Sequence, residues 1–82
     1  MSNFADKYPV NQGDDLVWLR KGMTRTDVIS LIGIPLREED CKGLFNEKLV
    51  FKLKNSRGAT IIYSVLFTKK ELVYVAKQTL IN

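Results

Sequence analysis

Leu19-Arg20-Lys21-Gly22-Met23-Thr24-Arg25-Thr26-Asp27-Val28, closing at Leu31-Ile32-Gly33-Ile34-Pro35, is the stretch whose reading decides the fold. It reads as the end of one helix, the start of a second and its stop. Gly22 is able to adopt the left-handed conformation that ends a helix, and Thr24 then caps the next by accepting from a backbone N–H two or three residues on. Asp27 completes a Thr-x-x-Asp variant of the capping box and sits at the positive end of the helix dipole. Val28, Leu31 and Ile32 share one face, Gly33 ends the helix, and Pro35 forbids its continuation. The spacing predicts a compact helix-turn-helix unit.

Working upstream, Asp14 and Asp15 begin a short first helix that runs to Arg20 or Lys21, with acids at its start and bases at its end as the dipole favours. Leu16, Val17, Trp18 and Leu19 make its apolar run nearly continuous, so one of them must face outward or lie under another element. Residues 1–13 hold Pro9 and Gly13 with few periodic apolar positions and read as an irregular arm, in which Phe4 and Tyr8 suggest packing or docking. Downstream, residues 36–43 form a charged connector containing Arg37-Glu38-Glu39-Asp40. The period then changes to two. Leu49, Phe51 and Leu53 alternate with Val50, Lys52 and Lys54, Asn55-Ser56-Arg57-Gly58 supplies a turn, and 59–68 is a central strand apolar on both faces. Lys69-Lys70 connects tightly to a last strand over 72–80. The expected fold is α+β: an arm over 1–13, then one domain over 14–82 with two N-terminal helices packed on one face of a three-stranded antiparallel meander.

The motif also carries a resemblance. Gly22-Met23-Thr24, then Val28 and the Gly33-x-Pro35 stop, is similar to the core motif of the SmpA/OmlA family of BamE-like lipoproteins, and Pro9-Val10-Asn11-Gln12-Gly13 resembles the segment before that family's first helix. The likeness is tight over 9–36. It implies the same two-helix, three-strand order. It further implies a binding role beside the subunits of the outer-membrane β-barrel assembly machinery, in bacterial envelope integrity, and a link to anionic phospholipid. The implied location is the periplasmic face of the outer membrane for a form lacking its lipid anchor. Met1-Ser2-Asn3-Phe4-Ala5-Asp6-Lys7 has neither a basic start nor an apolar middle, and no cysteine stands near it, so the other expectation is a cytoplasmic relative. In that setting the alternative function is a cytosolic or phage-encoded protein inhibitor on a scaffold like that of the β-lactamase inhibitor proteins.

With 82 residues, 45% hydrophobic and 27% charged, the chain has the composition of one small globular domain. No apolar run approaches the roughly 20 residues that a spanning helix needs. The chain has no histidine and a single cysteine, Cys41, which removes the usual general base, any His or Cys zinc cluster, and any Cys-His pair. Its five glycines are scattered and form no phosphate loop. Glu38-Glu39-Asp40 offers no defined cation cage and reads as solvated. The expectation is a non-enzymatic chain with no catalytic residue, no metal and no cofactor.

Binding is the class that remains. In the arm, Tyr8, Pro9, Val10, Asn11, Gln12 and Gly13 are candidate partner contacts by the family resemblance, or else they shape the approach to the first helix. Lys48, Lys52 and Lys54 share one face of the first strand, with Arg57 in the turn; they suit an acidic partner or lipid phosphates, or else deter pairing along an exposed strand edge. A third surface would join Lys69-Lys70 to Arg20, Lys21 and Arg25. Gly22, Met23, Thr24, Val28, Gly33 and Pro35 each have a sufficient capping or packing role and are assigned to structure. The net charge of +4 permits nucleic acid, but no recognition helix or stacking pattern supports it, since Phe51, Tyr63 and Tyr74 read as core.

Overall fold

A computed structural model of the chain describes residues 7–43 and 45–80. Its elements in chain order are β1 (Lys7–Gln12), β2 (Asp15–Arg20), α1 (Arg25–Ile32), β3 (Arg37–Asp40), β4 (Glu47–Lys54), β5 (Thr60–Thr68) and β6 (Glu71–Leu80). The strands form an antiparallel pair, β1-β2, and a four-stranded antiparallel sheet in the order β3-β4-β5-β6. The expected arrangement of two helices on a three-stranded meander is therefore corrected to one short helix and six strands in two sheets. Residues 1–6 of the expected arm, Phe4 among them, lie outside the described residues.

The segment expected as the first helix is β2. Six residues are too few for a helix to repay its nucleation, and Val17 and Trp18 favour a pleated surface. Alternation also resolves the apolar run, because Leu19 is buried and Val17 half-buried while Leu16, Trp18 and Arg20 point outward. The arm supplies its partner. Tyr8 pairs with Leu19 and Val10 with Val17, and Gly13-Asp14 is a two-residue loop closed by the Gln12–Asp15 pair. Gly13 has φ of +62°, the positive value that a type II′ hairpin turn needs at its first central position.

The single described helix is held as its caps dictate. The Thr24 hydroxyl accepts from the Asp27 N–H at 3.2 Å, and an Asp27 carboxylate oxygen accepts from the Thr24 N–H at 3.1 Å. At its other end the Gly33 N–H closes on the Ile29 carbonyl at 2.8 Å, and the Gln12 side-chain amide donates to the Ile32 carbonyl at 2.7 Å. That bond satisfies one of the acceptors a helix C-terminus leaves open.

The expected charged connector contains β3, which pairs with Glu47–Val50. An all-charged strand at a sheet edge deters pairing with other chains. Along that stretch β4 is interior, so Lys48 does not guard an open edge, whereas Lys52 and Lys54 lie beyond the reach of β3. β5 is central, as both of its neighbours confirm by register. Lys69 and Lys70 form the β5–β6 turn with φ of 54° and 69°, and the Asn46 side-chain carbonyl accepts from the Lys69 N–H at 2.9 Å.

Register sorts the sheet into two unlike faces. Leu49 and Phe51 on β4, and Ile61, Tyr63, Val65 and Phe67 on β5, are buried on one face and belong to the core with Leu72 and Val75 of β6. Val10 and Leu19 of the β1-β2 ribbon and Val28 and Ile32 of α1 close over this face. The ribbon crosses it diagonally. At the turn end, the Gly13 N–H donates to the Lys54 carbonyl at 2.7 Å; at the open end, Gly22 and Met23 exchange backbone bonds with Leu72 at 2.9 and 2.8 Å. Between these anchors the Asn11 N–H donates to the hydroxyl of the fully buried Tyr63 at 2.9 Å, and the Tyr8 hydroxyl donates to the Val73 carbonyl at 3.3 Å.

Candidate binding surfaces

None of the residues on the other face of the sheet belongs to the core that ribbon and helix close over. The cross-strand rows of that face run Arg37–Val50–Ser64–Ala76 and Glu39–Lys48–Leu66–Tyr74, followed by Lys52–Ile62–Gln78 and Lys54–Thr60–Leu80. The residue pattern explains this: each core residue of β4 alternates with Lys48, Lys52 or Lys54, whose ammonium groups stay in water while their stems cover apolar neighbours. Val50 is nonetheless almost fully buried, and Ile62, Leu66 and Ala76 are half-buried, so the centre of the face is apolar and its β4 margin basic.

Electrostatics divide those cations. The Glu39 carboxylate binds the Arg37 guanidinium at 2.6 Å and the Lys48 ammonium at 3.3 Å. These bonds, Arg37's first, hold the Glu39 carboxyl below the usual carboxylate range. Lys52 and Lys54 have no ion-pair partner among the described residues, and Arg57 stands exposed in the adjoining turn, where the Asn55 side chain accepts from its N–H at 2.9 Å. Alternation in the sequence had placed the three lysines together; only the sheet shows that their face is the one outside the core.

The arm residues are placed differently from one another. Val10 is in the core, Tyr8 packs edge-on against Tyr74 at 5.7 Å between ring centres, and the Asn11 backbone, the Gln12 side chain and Gly13 each make the internal bonds given above. Pro9 is exposed, opposite Trp18. All but Pro9 therefore take part in docking the ribbon on the sheet and helix. Of the motif residues, Val28 is buried and Met23 packs on the core, while Gly22 and Gly33 both have positive φ.

Lys70 and Arg25, placed on one candidate surface by the sequence, border the same depression. With Thr24, Thr26 and Glu47 they line an open depression of about 350 Å³ at the start of α1. Its charge is largely spent internally, because Arg25 bonds the Glu38 carboxylate and lies 3.5 Å from that of Glu47. Arg20 and Lys21 do not line it. Among the described residues no three His, Cys, Asp or Glu side chains converge as metal ligands, and Cys41 is a half-buried free thiol. No described helix is long and apolar enough to cross a membrane.

Sequence reasoning missed the outward side of the ribbon. Leu16 is 53% and Trp18 47% exposed there, and Leu31, Ile34 and Leu36 follow on α1 and the loop to β3. The signal was present in Gln12-Gly13-Asp14-Asp15, a hairpin turn flanked by alternating apolar residues. Comparison with known proteins finds no matching family model, curated protein or solved structure.

Proposed function

We propose that the chain is a non-catalytic protein-binding module that presents the open face of its four-stranded sheet to an acidic partner surface. The observation that supports this reading is the division of the sheet. One face is closed by ribbon and helix, whereas the other offers an apolar centre of Ile62, Leu66 and Ala76 beside Lys52 and Lys54, which have no ion-pair partner among the described residues. An apolar centre with a charged margin is the usual anatomy of a specific protein interface. Like-signed margins steer an oppositely charged partner and reject others.

Two settings fit. The family resemblance over 9–36 favours an envelope partner, in the first instance a subunit of the β-barrel assembly machinery. The alternative is a cytosolic protein inhibited by the module. The test is capture from separate envelope and cytosolic fractions by the immobilised protein, with Lys52→Glu/Lys54→Glu as the comparison. The reading expects a stoichiometric partner retained by the parent protein and lost by the double variant at unchanged strand content. Equal capture by both proteins would remove the sheet face from the proposal, and retention of nucleic acid instead of protein would overturn it.

A further inference from the structure

The outward side of the β1-β2 ribbon has an order that is its own complement when reversed. Three successive cross-strand pairs stand there: Lys7–Arg20, then Pro9–Trp18, then Asn11–Leu16, and beyond them the turn carries Asp14, while Asp15, paired with Gln12, shares the side of Val17 and Leu19. Along the ribbon this reads basic, apolar, half apolar with Asn11 beside Leu16, then acidic. Lys7 and Arg20 are like charges placed directly opposite, a destabilising arrangement, and Lys21 adds a third cation at the same end. None of these three cations, nor Asp14 or Asp15, has an ion-pair partner among the described residues. Between the charged ends lie Trp18 and Leu16, both half-exposed, with Leu31 exposed on the neighbouring helix.

We infer that this side of the ribbon is the contact surface of a two-fold homodimer. With two ribbons laid face to face and antiparallel, the Lys7-Arg20-Lys21 end of each copy meets the turn of the other at Asp14, with Asp15 adding its charge from the adjoining strand position. The Pro9–Trp18 pair of each then packs on Leu16 of its mate. The same patch serves both copies, which is the condition for a closed isologous dimer. The second copy thus supplies what the described residues lack at both ends, counter-charges for the cations and for the acids, and removes a tryptophan from water. Because the contact lies on the layer opposite the open sheet face, it leaves that face free and does not depend on the function proposed for it.

The chain has a single tryptophan, so Trp18 reports its own burial. Sedimentation velocity over a concentration series should show a monomer–dimer equilibrium that weakens with added salt. Trp18 emission should shift to the blue over the same concentrations. Asp14→Lys/Asp15→Lys, and separately Lys7→Glu/Arg20→Glu/Lys21→Glu, should each remain monomeric while keeping the parent's far-ultraviolet spectrum. Mixed in equal amounts, the two variants should form a heterodimer, since both of its end contacts pair opposite charges. A parent protein that stays monomeric throughout the series would overturn the inference. Dimerisation of either charge-reversed variant as strong as the parent's would do the same, as would a dimer in which Trp18 emission does not move.

Discussion

Replacing Tyr63 by Phe removes one oxygen from the centre of the fold and tests whether the ribbon docks on the sheet as described. The Tyr63 hydroxyl is fully buried and accepts from the Asn11 N–H at 2.9 Å, across 52 residues of sequence. A bond of this kind contributes about 1 kcal/mol net, and a buried donor left without a partner costs roughly 1–3 kcal/mol. Asn11 is half-buried, so water repays part of that cost and the lower portion of the range applies. The expected loss is about 1–2 kcal/mol. For a domain of this size, 1 kcal/mol lowers Tm by roughly 4–8 °C, so a fall of about 4–16 °C is expected. Urea melts should show a lower midpoint at unchanged slope, because the surface exposed on unfolding is the same. Amide exchange adds a local readout: the Asn11 N–H should be protected in the parent and lose more protection in the variant than its strand neighbours. If the midpoint is unchanged and the Asn11 amide exchanges freely in the parent, β1 does not lie on Tyr63 and the reasoning behind the ribbon fails.

Other perturbations probe the remaining joints of the fold. Thr24→Ala should cost about 1 kcal/mol in thermal melts by leaving the Asp27 N–H uncapped, with Thr24→Ser close to the parent; equal loss in both variants would contradict the cap. Lys69→Asn/Lys70→Gly should raise stability by about 0.5–1 kcal/mol, since both positions have positive φ and side chains there are strained, less the extra freedom glycine gains when unfolded. A lower Tm would mean that the turn is not of the primed type. Glu39 should titrate below ordinary glutamates by carboxyl NMR, and Arg37→Gln should move it back up. Its folded value is the depressed one. Whatever stability the cluster adds is therefore present above the unfolded-state value and fades as pH falls through the folded one; an unmoved titration in Arg37→Gln would refute the arrangement.

Legibility differed among segments for physical reasons. The α1 start was readable because Thr24, Asp27, Gly33 and Pro35 act within one or two turns of chain, and the same locality made the 55–58 turn and the alternation of β4 readable. The β2 segment was not. Its run of four apolar residues fits either period, and an acid-to-base charge order along it mimics a helix dipole. A partner strand was needed to choose, and that strand lay in a segment whose Pro9 and Gly13 looked like breakers. Gly13 is instead the turn residue, and Pro9 lies on the outward side of a two-stranded ribbon, where alternate positions lack a ladder bond to lose. β3 carries no apolar residue at all; it is a strand because the β4 backbone beside it offers hydrogen bonds. Of the candidate contacts, the lysine face was readable as a face, while the bonds that Tyr8, Asn11, Gln12 and Gly13 make between ribbon, helix and sheet had no local signal.

Taken alone, the sequence determined the caps, the turns and which residues of β4 and β5 share a side, since each depends on neighbours a few positions away. It also determined the chemistry on offer: no histidine, one thiol, and a surplus of lysine and arginine. Tertiary structure decided whether Leu16 to Leu19 coil or extend, which side of the sheet is closed, and where Trp18 points. Those outcomes rest on bonds such as Asn11 to Tyr63 and Gly22 to Leu72. Such bonds join segments some fifty residues apart, and their free energy exists only once the ribbon has settled on the sheet.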